Sequence, residues 1–371
     1  MVAVALGNSV GLLPSGIPAF LVGGVIDDLG FSEAQAGALS SVEMMTVAVV
    51  SILAAPFMAR LPVVPIAVGG TLLAVLFQLV SASLESFWPL CGARLFAGLG
   101  SGLTLAATTA TAAASRSPDR LYGFAIAGYM VVLALMGSVE AVVIDAHGIG
   151  GGYIALGLLY LAAIPSLLWL GHAKRRVQNT SNPGEPLPRG ELLLLLGLML
   201  AFGLGPGPVW AFQERIGVDI GISAEHVGAI FSVATLLGLG SSLFAGWLGA
   251  RWGRRWPLGA ALGVLGGSCV GFGLLSQAWV YVSMMMLFMV LYLFLNTFLF
   301  ATVALFDPAG RVGPAAVGAW MLVLGMGPGL GGLLVGVGSY LTLGWFALAV
   351  CGLAGVVVIP LGRSLNRLGA G

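Results

Sequence analysis

Three ionisable residues stand inside long apolar runs of this 371-residue chain: Glu43, Arg94 and Glu140. A charge within a membrane span costs at least about 2.5–3.5 kcal/mol on insertion scales, so each needs a partner or a task. One arginine and two carboxylates cannot all be neutralised in pairs. One acid is left to choose between ionised and protonated forms, with burial and the arginine pulling in opposite directions. That is the chemistry of a proton-exchange site, with Arg94 as the fixed charge and Glu140 or Glu43 as the carrier. The plainer alternative is a structural ion pair between Arg94 and one acid, the other reaching the membrane interface. Direct contact of the cluster with a substrate is the third reading.

The elements that position these residues must be membrane-crossing helices. Hydrophobic residues make up 59% of the chain and charged residues only 8%, with 15 Lys+Arg against 14 Asp+Glu and a net charge of +1. A soluble domain carries about 25% charge. The composition therefore excludes a water-soluble enzyme, a disordered chain and a nucleic-acid binder, which needs a basic face. Cys91, Cys269 and Cys351 all lie in apolar runs, giving neither a disulfide framework nor a metal site.

A helix needs about 20 apolar residues to cross the hydrocarbon core. Dividing the chain at charges and at Gly/Pro/Asn/Asp punctuation gives twelve spans: 1–25, 36–59, 62–83, 89–114, 121–144, 151–171, 191–213, 226–249, 257–277, 279–305, 314–336 and 341–361. The runs are continuous rather than alternating, which excludes a β-barrel. At 1.5 Å per residue, Glu43 lies roughly 10 Å inside the outer end of its span, and Arg94 and Glu140 roughly 6–8 Å inside theirs. With both termini in the cytoplasm, thirteen of the fifteen basic residues fall on the cytoplasmic side, leaving only Arg94 and Arg215. No cleavable signal peptide is expected, because the first span lacks a basic n-region and is too long for an h-region.

The chain also repeats. Residues 28–41 read DLGFSEAQAGALSS and residues 219–232 read DIGISAEHVGAIFS. Asp28, Gly30, Ser32, Gly37 and Ser41 match Asp219, Gly221, Ser223, Gly228 and Ser232 at one offset of 191 residues, which Arg60 and Arg251 also keep. The expected organisation is a six-helix bundle over 1–171, a polar cytoplasmic linker over 172–190 and a second bundle over 191–371. Six spans return the chain to the same side, so the two halves are parallel repeats.

On these features the whole chain resembles the major facilitator superfamily, in its twelve-helix bacterial form. Three motifs carry the resemblance. Gly246-Trp-Leu-Gly-Ala250-Arg251-Trp-Gly253-Arg254-Arg255 is similar to the family's cytoplasmic G-x-L-x-D-R-x-G-R-R motif, with Ala250 in place of the acid. The equivalent stretch of the first half keeps only Arg60. Arg94-Leu-Phe-Ala-Gly98-Leu-Gly100-Ser-Gly102 resembles the R-x-x-x-G-x-G signature associated with proton coupling. Gly327-Pro328-Gly-Leu-Gly331-Gly332 resembles the exporters' G-P-x-x-G-G core, displaced from span 5 to span 11. The resemblance implies an all-α membrane protein of two six-helix bundles that works as a monomer in the bacterial inner membrane. It implies a secondary transporter of alternating access with no cofactor, its energy drawn from a proton gradient. The cytoplasmic motif is thought to latch the bundles by charge pairing.

The same resemblance puts the substrate pocket near mid-membrane, lined by spans 1, 4, 7 and 10. Polar candidates are Asn8, Ser9 and Ser15, then Thr104, Thr108 and Thr109, then Tyr292 and Asn296. The threonines have an alternative, which is to bond their own helix backbone. Span 7 ends in Trp210, Phe212, Gln213, Glu214 and Arg215, an aromatic pair, an amide and an ion pair at the outer mouth. Trp210 and Phe212 serve there either as an interfacial aromatic belt or as a gate stacking on substrate. With no second buried base, the pocket suits lipophilic or weakly polar compounds, or a single carboxylate held by Arg94. The leading expectation is proton-antiport efflux of such a compound. The alternative is proton-symport uptake of a small organic acid or sugar. No phosphate-binding G-x-x-x-x-G-K-[ST] signature is present, which argues against ATP-driven transport. An intramembrane enzyme is a remote rival, since His147, His172 and His226 sit only at span ends, as is a non-transporting membrane subunit.

Overall fold

The computed structural model describes residues 1–371 apart from 59, 116–117, 173–188, 252–254, 275–276, 307–312 and 369–371. Every long element among the described residues is a helix. Span 1 is broken into α1 (Val2–Gly16) and α2 (Pro18–Leu29), bent by 51°. Pro18 lacks the amide hydrogen that would bond back to Pro14, and its ring crowds that carbonyl, so the helix must bend there. Spans 2, 3 and 4 are α3 (Glu33–Ala54), α4 (Val63–Ser81) and α5 (Phe87–Ala113).

The next helix, α6 (Pro118–Leu167), runs for 50 residues. At about 1.5 Å per residue it would be ~75 Å long, more than twice the membrane core. Gly148, at φ 70° and ψ −178°, breaks it into two antiparallel spans. That left-handed backbone suits only glycine, and the Asp28 carboxylate accepts the Ile149 amide hydrogen freed at the break.

The second half repeats the plan. Span 7 is broken into α7 (Arg189–Leu204) and α8 (Gly207–Asp219) at the Gly-Pro step before Gly207. Then come α9 (Ala224–Arg251), α10 (Arg255–Leu274), α11 (Ala278–Phe306), α12 (Gly313–Val337) and α13 (Tyr340–Leu368). Counting each broken helix as one span and α6 as two gives the twelve expected. Some boundaries differ: α13 continues to Leu368 instead of 361, α2 to Leu29 instead of 25, and α8 to Asp219 instead of 213, which carries Glu214 and Arg215 inside a helix.

Within the first half, α5 packs on α1, α3 and α4, and α1 on α6. Within the second, α13 packs on α7 and α10, and α9 on α11. The halves meet along three seams, α3 on α12, α6 on α9 and α2 on α8. Large apolar side chains such as Leu76, Leu135, Leu158, Leu193 and Leu353 cover the outside, as lipid contact requires. Trp88, Trp169, Trp256 and Trp279 stand exposed at helix ends and form the interfacial belt. One end of the molecule is therefore an acidic face holding Asp27, Asp28, Glu33, Glu85, Asp145 and Asp219.

Candidate functional site

The three intramembrane charges fall in one bundle, all buried. Arg94 of α5 points into the gap between α3 and α4. Its Nη1 donates to Glu43 Oε2 at 3.3 Å and to Gln78 Oε1 at 2.9 Å. Its Nη2 donates to the Phe77 carbonyl at 3.1 Å and to Ser81 Oγ. Gln78 Nε2 donates in turn to Glu43 Oε1 at 3.4 Å. The Tyr153 ring covers the guanidinium, 4.3 Å from its carbon. The arginine's charge is thus met by a carboxylate, an amide, a hydroxyl, a carbonyl and an aromatic face.

Glu140 is different. Its side chain is 0% exposed, yet neither carboxylate oxygen has a hydrogen-bond partner among the described residues. It faces Gly152 across the α6 break, where a Cβ would lie 2.8 Å from Oε2. The neighbouring residue is the Tyr153 that stacks on Arg94. Gly152 and Tyr153 thus stand between the unpartnered acid and the paired arginine. Of the two acids the sequence left open as partner, Arg94 takes Glu43. Gln78, Ser81 and Tyr153 were not anticipated. Their only signal is that each is polar within an otherwise apolar span.

The cleft between the bundles is lined by Leu12 and Ser15 of α1, Met44 and Val47 of α3, and Trp320, Met321 and Leu324 of α12. Behind Trp320 an aromatic stack runs through the buried core of the second bundle. Trp320 stacks on Phe202 at 6.4 Å, Phe202 on Tyr292 at 5.0 Å, and Tyr292 lies 5.1 Å from Trp210. Ser15 lines the cleft, Tyr292 is packed at 5% exposure in the aromatic core of the second bundle, and Asn8 and Asn296 stay on α1 and α11 as buried and half-buried amides.

Other candidates turn away from the cleft. Thr104 bonds Thr71 Oγ1 at 3.0 Å and the Ala67 carbonyl at 3.2 Å, inside the first bundle. Thr108 donates to the Thr104 carbonyl at 2.9 Å, and Thr109 and Ser9 likewise bond their own helices. Span 4 threonines thus satisfy backbone carbonyls, the bland alternative. Phe212 is fully buried against Gly331, and the Gln213 carbonyl accepts the Tyr281 hydroxyl at 2.8 Å.

Trp210 is not a belt residue. It is 5% exposed, and its Nε1 donates across the bundles to the Ser15 carbonyl at 3.0 Å. Nor do Glu214 and Arg215 pair with each other among the described residues. Arg215 crosses to Asp27 of α2 at 2.5 Å. Both corrections follow from the length of α8, which carries these residues along α2 instead of ending beneath it.

The sequence profile of the Major Facilitator Superfamily matches residues 4–325. The chain belongs to the major facilitator superfamily. No curated protein matches it by sequence. Among solved structures it is similar to a bacterial homolog of the human lysosomal transporter Spinster, in inward-facing unoccupied and inward-facing occupied conformations. The TM-score is 0.70 for both, with 13% and 14% identity, covering 99% of this chain and 96% of the other. At that identity the likeness speaks for the fold.

In this superfamily member the glycine motifs serve close helix packing, within each bundle and, at Pro328 and Gly329, across the bundles. A Cβ on Gly327 would come 2.8 Å from the Gly207 backbone, and one on Gly98 would strike the Glu43 carbonyl at 2.5 Å. Gly102 meets the Val47 carbonyl at 2.9 Å in the same sense. The Pro328 carbonyl abuts Gly37 of α3, and the Gly329 amide donates to Ser41 Oγ at 2.8 Å. Of the cytoplasmic motif, Gly246 and Arg251 fall near the end of α9 and Arg255 opens α10. Gly253 and Arg254 lie outside the described residues, as does most of the 172–190 linker.

Proposed function

We propose that this transporter is a secondary active carrier that exports a small lipophilic or weakly polar molecule by proton antiport. The observation that carries the reading is Glu140, a buried carboxylate without a hydrogen-bond partner among the described residues, packed on Gly152, whose chain neighbour Tyr153 covers the Arg94 guanidinium. Arg94 and Glu43 form the fixed pair and Glu140 carries the proton. A buried acid with no partner is stable when neutral, and it must be hydrated or paired when it ionises. A bundle movement that wets the site is therefore coupled to release of the proton. The apolar cavity beside Ser15 and Trp320 is only about 20 Å³ in this state and must widen to take a cargo, and its scarcity of polar groups supports a lipophilic one.

The acidic face is taken as the outer one, with both termini in the cytoplasm as the basic residues favour. The outer halves of spans 1 and 7, α2 and α8, pack on each other. The inner halves, α1 and α7, pack on helices of their own bundles. On this reading the carrier is closed at the acidic face.

The test is transport in proteoliposomes with an imposed pH gradient, over a panel of lipophilic compounds. Glu140→Gln abolishes gradient-driven movement but leaves substrate exchange intact. If Glu140→Gln and Glu43→Gln both transport normally, coupling through this site is wrong.

A further inference from the structure

A third buried carboxylate belongs to the other bundle from the Arg94 cluster, on the seam that shuts the acidic face. Glu214 of α8 is 5% exposed, and its Oε2 has no hydrogen-bond partner among the described residues. It is pressed against the first bundle: a Cβ on Gly23 of α2 would fall on that oxygen and 2.8 Å from the carboxyl carbon. Glycine at 23 is what lets the acid seat there. Beside it the Asp27–Arg215 ion pair bridges the same two helices, so the base these two helices carry is already engaged.

The other helices packed on α8 offer Glu214 no further base among the described residues. Besides Asp27, α2 carries Asp28, which is occupied by the Ile149 amide. Besides Arg215, α8 carries Asp219. Tyr281 of α11 donates to the Gln213 carbonyl, and Tyr340 stands at the start of α13 beside Arg215. Glu225 and His226 of α9 are exposed at its first turn. At this end α10 offers only the buried Cys269, α12 has no ionisable residue, and the charges of α7 lie at its other end. A charged Glu214 here would have only Arg215 nearby, already paired with Asp27, and would otherwise face acids, phenols and apolar surface. Parting α2 from α8 would return the carboxyl to water.

We propose that Glu214 is the proton-binding group of the outer gate: the acidic face closes with Glu214 protonated and opens when the carboxyl ionises. The proton enters and leaves by the same face, so it sets the gate's equilibrium and is not carried across. This role rests on the alternating-access reading above but does not depend on Glu140. It predicts that lowering the pH on the acidic side favours the closed gate. One proton bound only in the closed form changes the closed-to-open ratio by up to about tenfold per pH unit.

The test is a distance measurement by pulsed electron paramagnetic resonance on the full chain in nanodiscs. Spin labels at Ser83→Cys and Gln277→Cys report across the acidic face, with the native cysteines replaced by alanine. The wild-type background should close progressively as pH falls. Glu214→Gln should stay closed at every pH, and Glu214→Asp should restore the pH response. Glu140→Gln should lose gradient-driven transport yet keep the pH-dependent closure. The proposal is overturned if Glu214→Gln keeps the wild-type profile, if Glu140→Gln removes it, or if the wild-type gate ignores pH. If no variant shows gradient-driven transport while closure still follows Glu214, the gate stands and the antiport reading falls.

Discussion

Gly37 and Gly228, 191 residues apart in the sequence, do the same work on opposite seams. Gly37 of α3 receives the Pro328 carbonyl of α12, and Gly228 of α9 lies against the Gly137 carbonyl of α6, where a Cβ would stand 2.6 Å away. Ser41 and Ser232, one turn further along each helix, also match: one accepts the Gly329 amide and the other bonds Ser138 at 2.7 Å. Replacing either glycine by alanine inserts a methyl group between two backbones that cannot retreat, an overpacking cost of about 1–3 kcal/mol. Gly37→Ala and Gly228→Ala should each favour the state open at the acidic face. Labelling of cysteines placed in the α2–α8 seam, measured with a membrane-impermeant thiol reagent, should become faster in both.

The Arg94–Glu43 pair should be destabilising to break and less so to delete. Arg94→Ala leaves Glu43 buried with only the Gln78 amide, at a cost of about 3–5 kcal/mol for an uncompensated buried charge. The double variant Arg94→Ala/Glu43→Gln removes both charges and should unfold at a higher temperature than Arg94→Ala alone. Thermal unfolding in detergent gives the comparison. An additive result would mean that the two side chains do not act as a pair.

The Asp27–Arg215 bridge is a different kind of contact. Asp27 is 51% exposed at its side chain and Arg215 24%, so the pair contributes only about 0–1 kcal/mol and is weakened by salt. Asp27→Asn should leave the melting temperature nearly unchanged. It should raise the open fraction at the acidic face at low ionic strength, and that difference from wild type should shrink in high salt.

Trp320 should govern substrate affinity and Thr104 should not. Trp320 stands in the cleft between the bundles, whereas Thr104 is bonded to α4 within the first. Trp320→Ala should raise the KM for a lipophilic substrate, by roughly the 0.5–1.5 kcal/mol of an aromatic contact. Thr104→Ala should change the melting temperature and not KM. Initial rates of transport against substrate concentration separate the two.

The spans, the two-half repeat and the three buried charges were all legible in the sequence. Each is a property of order along the chain: apolar length decides what crosses a membrane, and an offset of 191 survives any folding. The left-handed Gly30 at 66° and Gly221 at 90° show the repeat reaching down to backbone angles. The partner of Arg94 was not legible. Glu43 and Glu140 lie at similar depths, and which one meets the guanidinium depends on how each helix is rotated about its own axis, something a hydropathy profile does not record. The fate of Trp210, Glu214 and Arg215 had the same origin. Their charges and polar neighbours read as the end of a span. Only the break before Gly207 and the packing of α8 on α2 turn that stretch into a buried seam between the bundles, because the other bundle supplies the glycine, the carboxylate and the carbonyl that these side chains meet there.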